Sequence, residues 1–200
     1  MAMNNLDHWA TLAEKSSMID NDLYAKFDVK RGLRNADQTG VLVGLTNVGT
    51  VMGVEKTESG AVPIHGRLEY RGIGIDKIVH GFQQDKRQGY DETVYLLLFG
   101  KLPTAAELAE FTAYLAQQRY LPQYFTKDII LSFRGKDIMN MLARSVLSLY
   151  TQDDNPDDVT TENLLRQSLS LIAKFPAIVA YSFHGMRYHY MNKTLVIRHP

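Results

Sequence analysis

The sequence holds six histidines, His8, His65, His80, His184, His189 and His199. Imidazole is the side chain whose ordinary pKa best suits proton transfer near neutrality. No two of them stand four residues apart, the spacing that sets two metal ligands on one helix face. A surface or structural role is expected for each, and no metal site is expected. Gly72-Ile73-Gly74 could open a nucleotide-binding glycine loop, but Lys77 stands where the third glycine belongs. Gly135-Lys136 lacks a glycine five residues earlier and runs into Asp137, so it is no phosphate loop. Both read as turns. Two arginine settings hold more promise. Lys30, Arg31 and Arg34 surround Gly32 in one short stretch and could grip a phosphate through charge-assisted hydrogen bonds. Arg71, in Tyr70-Arg71-Gly72, could touch a substrate. The favoured reading is that it pairs with a neighbouring carboxylate and fixes a turn.

These residues belong to a chain of 200 residues with 22 basic and 22 acidic side chains. That balance leaves no net field to draw in nucleic acid or anionic lipid. Cysteine is missing altogether, which excludes disulfides, zinc-thiolate sites and thiol nucleophiles. The opening MAMNNLDHWATLAEK has no long apolar run behind a basic start, so it is not a secretory signal. No stretch approaches the ~20 apolar residues of a membrane span. The expectation is a cytoplasmic globular chain with no nucleic-acid and no membrane partner.

The elements that must position the candidates are clearest between Tyr70 and Leu108. Val94 to Phe99 is unbroken apolar sequence, the mark of a helix buried on most sides. Gly100 follows, where left-handed φ can close a helix. Thr104 and Glu107 then form a capping box for the next helix, whose one face carries Leu108, Phe111 and Leu115. Upstream, Asn5 is placed to cap a first helix with Leu6, Trp9, Leu12 and Ala13 on one face. Residues 41–46, 50–55 and 61–70 read as short strands of small hairpins, divided by turn-formers at 47–49 and 58–60. Downstream, Leu121-Pro122 breaks a helix and a short helix follows Thr126. Ile138, Met141, Leu142, Ser145, Val146 and Leu149 then recur at helical spacing. Residues 151–158, TQDDNPDD, read as an exposed acidic loop. Thr160 or Thr161 caps a helix that is apolar all round and that Pro176 should kink. The segment 184–193 reads as a connector. Thr194 to Ile197 is apolar with no helix stop after it, which points to a chain that continues.

Tyr70-Arg71-Gly72 with Ile73 and Ile75, then ETVYLLLFGKLPTAAEL, closely resembles the N-terminal part of the citrate synthase family. Gly32-Leu33-Arg34 and Leu171-Ile172-Ala173-Lys174-Phe175-Pro176 extend the resemblance over most of residues 30–183. It implies a mainly α fold, the N-terminal portion of a multi-helical large domain spanning 1–200. Within it, 1–36 would form a helix and basic loop, 37–71 a β-hairpin region and 72–200 a helical body. It implies condensation of acetyl-CoA with oxaloacetate to citrate and free coenzyme A, which are substrates and products with no resident cofactor. Arg34 would hold coenzyme A phosphates. A second phosphate arginine used by some members would fall near Asp157, where no arginine stands. The family's catalytic histidines and aspartate lie in glycine-flanked motifs that no segment here matches. No catalytic residue is therefore assigned, and residues 1–200 alone are expected to be inactive. A homodimer through helices 137–150 and 161–182 is implied. The alternatives are a 2-methylcitrate synthase using propionyl-CoA, and a non-catalytic helical dimerisation or binding module.

Overall fold

The computed structural model describes residues 2–27, 29, 44–58 and 60–196. Arg34 and its basic neighbours Lys30 and Arg31 lie outside them. Seven α-helices, a π-helical turn and a three-stranded sheet make up the described chain: α1 (Ala2–Ser17), α2 (Asp22–Lys26), β1 (Gly49–Thr57), β2 (Gly60–Tyr70), β3 (Ile73–Gly74), α3 (Ile75–Gln84), α4 (Tyr90–Phe99), α5 (Ala105–Gln118), the π turn Thr126–Leu131, α6 (Ile138–Tyr150) and α7 (Thr161–Met191). The fold is mainly α with a small β element, as the sequence predicts. It divides into two compact units, one of residues 11–108 and one of residues 1–10 with 109–200.

In the unit of 11–108, β1 pairs antiparallel with β2 from Gly49 opposite Tyr70 to Thr57 opposite Gly60, with a register shift between Met52 and Val54. The two-residue β3 adds to β2 through Tyr70 and Ile73. The sequence predicts three strand-like pieces, and here it is corrected. Residues 44–46 form no strand, and 41–43 lie outside the described residues. The local reason is the bend that follows: the Thr46 hydroxyl accepts from the Val48 amide at 3.1 Å, and the Asn47 side chain donates to Ser16 O at 2.8 Å. Tyr95, Leu96, Phe99 and Ile78 form the buried centre. The Tyr95 and Phe99 rings meet edge to face at 4.6 Å. Gly100 ends α4 at φ 75°, its amide donating to Leu96 O. The capping box is also present. Thr104 N donates to Glu107 Oε2 at 2.7 Å, and Glu107 N to Thr104 Oγ1 at 3.3 Å.

In the second unit Trp9 stacks edge-on against Phe111 and Tyr114, at 5.5 and 5.1 Å. α1 already begins at Ala2, so Asn5 is not its cap. Its amide instead donates to the Glu110 carboxylate. Phe125, Ile130, Met141, Ile178 and Tyr181 form the core cluster between the π turn, α6 and α7. Asp137 caps α6 through the Asn140 amide, and Thr160 caps α7 through the Asn163 amide. The short helix expected after Thr126 is a single wide π turn.

α7 runs unbroken through Pro176 and on to Met191, where Asn192 closes it at φ 55°. The connector expected over 184–193 is therefore mostly helix. Nothing between Ser182 and Met191 supplies a stop except Gly185, and that residue has a packing reason to be helical. A Cβ there would meet Leu131 Cδ2 at 3.2 Å. Among the described residues α7 is the one helix long and apolar enough to cross a membrane. No unbroken apolar run announces this, because polar residues are spread along it. Within the fold its apolar residues Leu165, Leu169, Ala173, Ile178 and Tyr181 are buried.

Candidate functional site

Among the described residues of the unit of 11–108, the most heavily bonded charge is Arg71. It lies in the two-residue turn between β2 and β3, with Arg71 at φ 49° and Gly72 at φ 78°. Two successive positive φ angles belong to the tight hairpin turn whose twist matches its strands. Glycine adopts that geometry freely, whereas arginine is strained by it. The side chain shows what holds it there. Nη1 donates to Ser16 O at 2.8 Å and to Asn47 Oδ1 at 2.7 Å. Nη2 donates to Leu97 O at 2.7 Å and, weakly, to Ser16 Oγ at 3.4 Å, while Nε reaches Leu97 O at 3.2 Å.

Ser16 is in the last turn of α1 and Leu97 in the last turn of α4. Their carbonyls are among the groups a helix end leaves without intrahelical donors, at the negative end of the helix dipole. One guanidinium thus closes two helix ends. Burial pushes Arg71 below its ordinary pKa. The expected carboxylate partner is therefore replaced by backbone carbonyls, although the expected role, fixing the turn, stands. Five donors with five contacts leave none for a substrate. The cavity beside it, about 460 Å³, is lined by Ser16, Asn47, Arg71 and Gly100 among others.

The other unit carries a polar network around the start of α7. Arg166 Nη2 donates to Asp153 Oδ1 at 2.7 Å and to Asn163 Oδ1 at 2.7 Å. The buried Asn163 amide donates to Asp158 O at 2.7 Å and Asn155 O at 2.9 Å. The acidic loop 151–158 is thus tied to α7, and Asp153 and Asp158 within it are half-buried rather than exposed. Burial pushes Asp153 up, but the hydrogen bonds from Arg166 and the Asn155 amide outweigh it and hold the carboxyl below its usual range. Asp157, where the phosphate arginine is missing, accepts the Tyr150 hydroxyl at 2.8 Å. Arg166, Ser170 and Lys174 line a cavity of about 670 Å³ beside the loop. Lys174 is bonded to the Ser170 hydroxyl, and burial followed by the nearby Arg166 charge lowers its pKa.

The histidines are scattered. His8, His65 and His80 are exposed on α1, β2 and α3, and His184 and His189 are half-buried on α7. His199 lies outside the described residues. Asp76 stands one turn before His80 on α3, a pairing visible in the sequence yet absent from its reading. No third group joins it: among the described residues no cluster of three or more histidines, aspartates and glutamates could hold a metal ion.

A family model described as citrate synthase, C-terminal domain, matches residues 37–196. The chain belongs to the citrate synthase family. A citrate synthase of Saccharolobus solfataricus is 32% identical over 152 residues, 76% of this chain and 34% of the relative. A 2-methylcitrate synthase of Corynebacterium glutamicum is 27% identical over 153 residues, again 76% of this chain and 34% of the relative. The citrate synthase of Pyrobaculum aerophilum superposes with a TM-score of 0.57 at 23% identity, over 80% of this chain and 40% of the other. That of Thermoplasma acidophilum, solved with carboxymethyl coenzyme A and oxaloacetate, gives 0.55 at 18% identity, over 79% and 36%. These two likenesses bear on the fold. The chain spans about a third of the length of the curated relatives. Arg34 precedes the span that the family model matches.

Proposed function

We propose that this citrate synthase-family chain serves the condensation of acetyl-CoA with oxaloacetate, followed by thioester hydrolysis to citrate and coenzyme A. The observation that carries this reading is the family match across residues 37–196. In that reaction an aspartate takes a methyl proton and a histidine stabilises the enol, and neither role is assigned to a residue here. The described residues instead supply scaffold. Arg71 fixes the turn that joins the hairpin to α3 and closes the ends of α1 and α4. α6 and α7 carry exposed apolar side chains, among them Met139, Leu147, Val179 and Phe183. We propose that a second copy covers this face in a homodimer. Arg34 is proposed to hold coenzyme A phosphates, and a cytoplasmic setting belongs to the same reading.

Thiol release from acetyl-CoA with oxaloacetate tests it. The full product of the reading frame that encodes these residues is expected to turn over, and residues 1–200 alone are expected to release no thiol. Turnover by the isolated chain would overturn the expected inactivity of residues 1–200, and none by the full product would overturn the reading. The likeness to a 2-methylcitrate synthase supports a second reading. Turnover with propionyl-CoA well above that with acetyl-CoA would select it.

A further inference from the structure

Ser170 and Lys174 stand one and two turns beyond Arg166 on α7, so the three side chains form one stripe along the helix. Arg166 spends Nε and Nη2 on Asn163 and Asp153. Its Nη1 has no partner among the described residues, yet it is not buried, and the side chain is 38% exposed. The half-buried Lys174 has the Ser170 hydroxyl as its one bond, and among the described residues no carboxylate pairs with it. Asp153 and Asp154 line the same cavity, but Asp153 is held by Arg166 and Asp154 makes no ion pair with Lys174. An unpaired ammonium, desolvated and beside a second cation, is the setting that frees a lysine to act as a nucleophile. Burial and then the Arg166 charge do lower the Lys174 pKa, and Asp153 offsets this only in part. Val179 and Phe183, on the face proposed for a second copy, lie about 140–180° round α7 from Ser170 and Lys174. The stripe is on the other side of that helix.

We propose that Lys174 forms an imine with a small 2-oxo acid whose carboxylate accepts from Arg166 Nη1. The cavity of about 670 Å³ beside the stripe has room for such an acid, with Leu149 and Leu171 as apolar walls. The Nζ lone pair attacks the ketone carbon, and the C–N bond forms as the carbonyl π pair moves onto oxygen. A proton passes from nitrogen to that oxygen. A second proton lets it leave as water, and the nitrogen pair closes the C=N bond of a protonated imine. Ser170, bonded to Nζ, holds the amine in place. The carboxylate brings Lys174 the counter-charge that the fold does not supply, through a charge-assisted bond to its neighbour. The site uses none of the residues assigned to the condensation and stands whether or not that reaction is the right one.

Pyruvate is the probe, incubated with the whole chain and cyanoborohydride, which reduces an imine to a stable secondary amine. Peptide mass spectrometry then locates the label. Acetone, a ketone of similar size without the carboxylate, is the control. Pyruvate is expected to label Lys174 at least tenfold faster than the exposed Lys77 and Lys136, and at least tenfold faster than acetone does. Arg166→Lys keeps a cation beside Lys174 but removes Nη1. It is expected to slow labelling of Lys174 by pyruvate at least tenfold and to leave labelling by acetone unchanged, with circular dichroism confirming that the variant folds. Pyruvate labelling of Lys174 no faster than of Lys77 and Lys136 would overturn the proposal. So would equal rates at Lys174 with pyruvate and acetone in the parent.

Discussion

Arg71 and Arg144 are both half-buried arginines, one in each compact unit, and among the described residues neither has a carboxylate partner. Arg71 directs all three of its nitrogens to oxygen acceptors, four of the five contacts falling on two helix ends. Arg144 makes one long bond and buries an Nε with no acceptor. The difference lies in what each neighbourhood already contains. Around Arg71, the carbonyls at the ends of α1 and α4 require donors, so the guanidinium and the helix ends satisfy each other. Around Arg144, the neighbours are mostly apolar and the two nearby hydroxyls, of Ser145 and Ser148, are bonded within their own helix. Saturation makes the first a structural clasp. Its missing acceptor leaves the second held by one long bond.

If the clasp is what organises the unit of 11–108, its removal has the largest effect. Arg71→Met strands the carbonyls of Ser16 and Leu97 together, and is expected to lower unfolding free energy by about 3 kcal/mol in urea titrations. Gly100→Ala acts on the same knot from the other side. The new side chain must adopt φ 75°, with its Cβ 3.0 Å from Ser16 Cβ, at an expected cost of about 2 kcal/mol.

The capping box beside the knot gives a smaller effect with a pH signature. Glu107 titrates at about 2 instead of its ordinary 4.5, held down first by the Lys101 ammonium and then by the Thr104 amide and hydroxyl. A depressed carboxylate pKa contributes stability above 4.5 that is lost as pH falls towards 2. Glu107→Gln is expected to cost about 1 kcal/mol at neutral pH. Its urea midpoint should also fall less steeply than the parent's between those two pH values. A parallel fall in both proteins would remove Glu107 from the account of acid sensitivity.

Much of the helical architecture is legible in the sequence because its signals are local. The Gly100 stop, the Thr104 and Glu107 box, the Thr160 cap and the apolar rows of α5 and α6 each act within one or two turns of chain. What escapes the sequence depends on distant partners. Asn5 looks like a cap until Glu110 is seen beside it. α7 continues to Met191 because Leu131 packs against Gly185, a contact between residues more than fifty positions apart. Arg71 announces a turn through the glycine after it, but its acceptors are backbone carbonyls, which every residue has and no sequence pattern marks. Arg144 gives no signal at all in the sequence. Its interest lies in the absence of a partner, and that can be seen only once the neighbours are in place.

The contrast between the two arginines is tested most directly by urea unfolding of Arg71→Met and Arg144→Met beside the parent. Arg71→Met should lose about 3 kcal/mol. Arg144→Met should lose under about 1 kcal/mol, the worth of one neutral-acceptor hydrogen bond. Equal losses in the two variants would contradict the division into a saturated clasp and a sparsely bonded arginine.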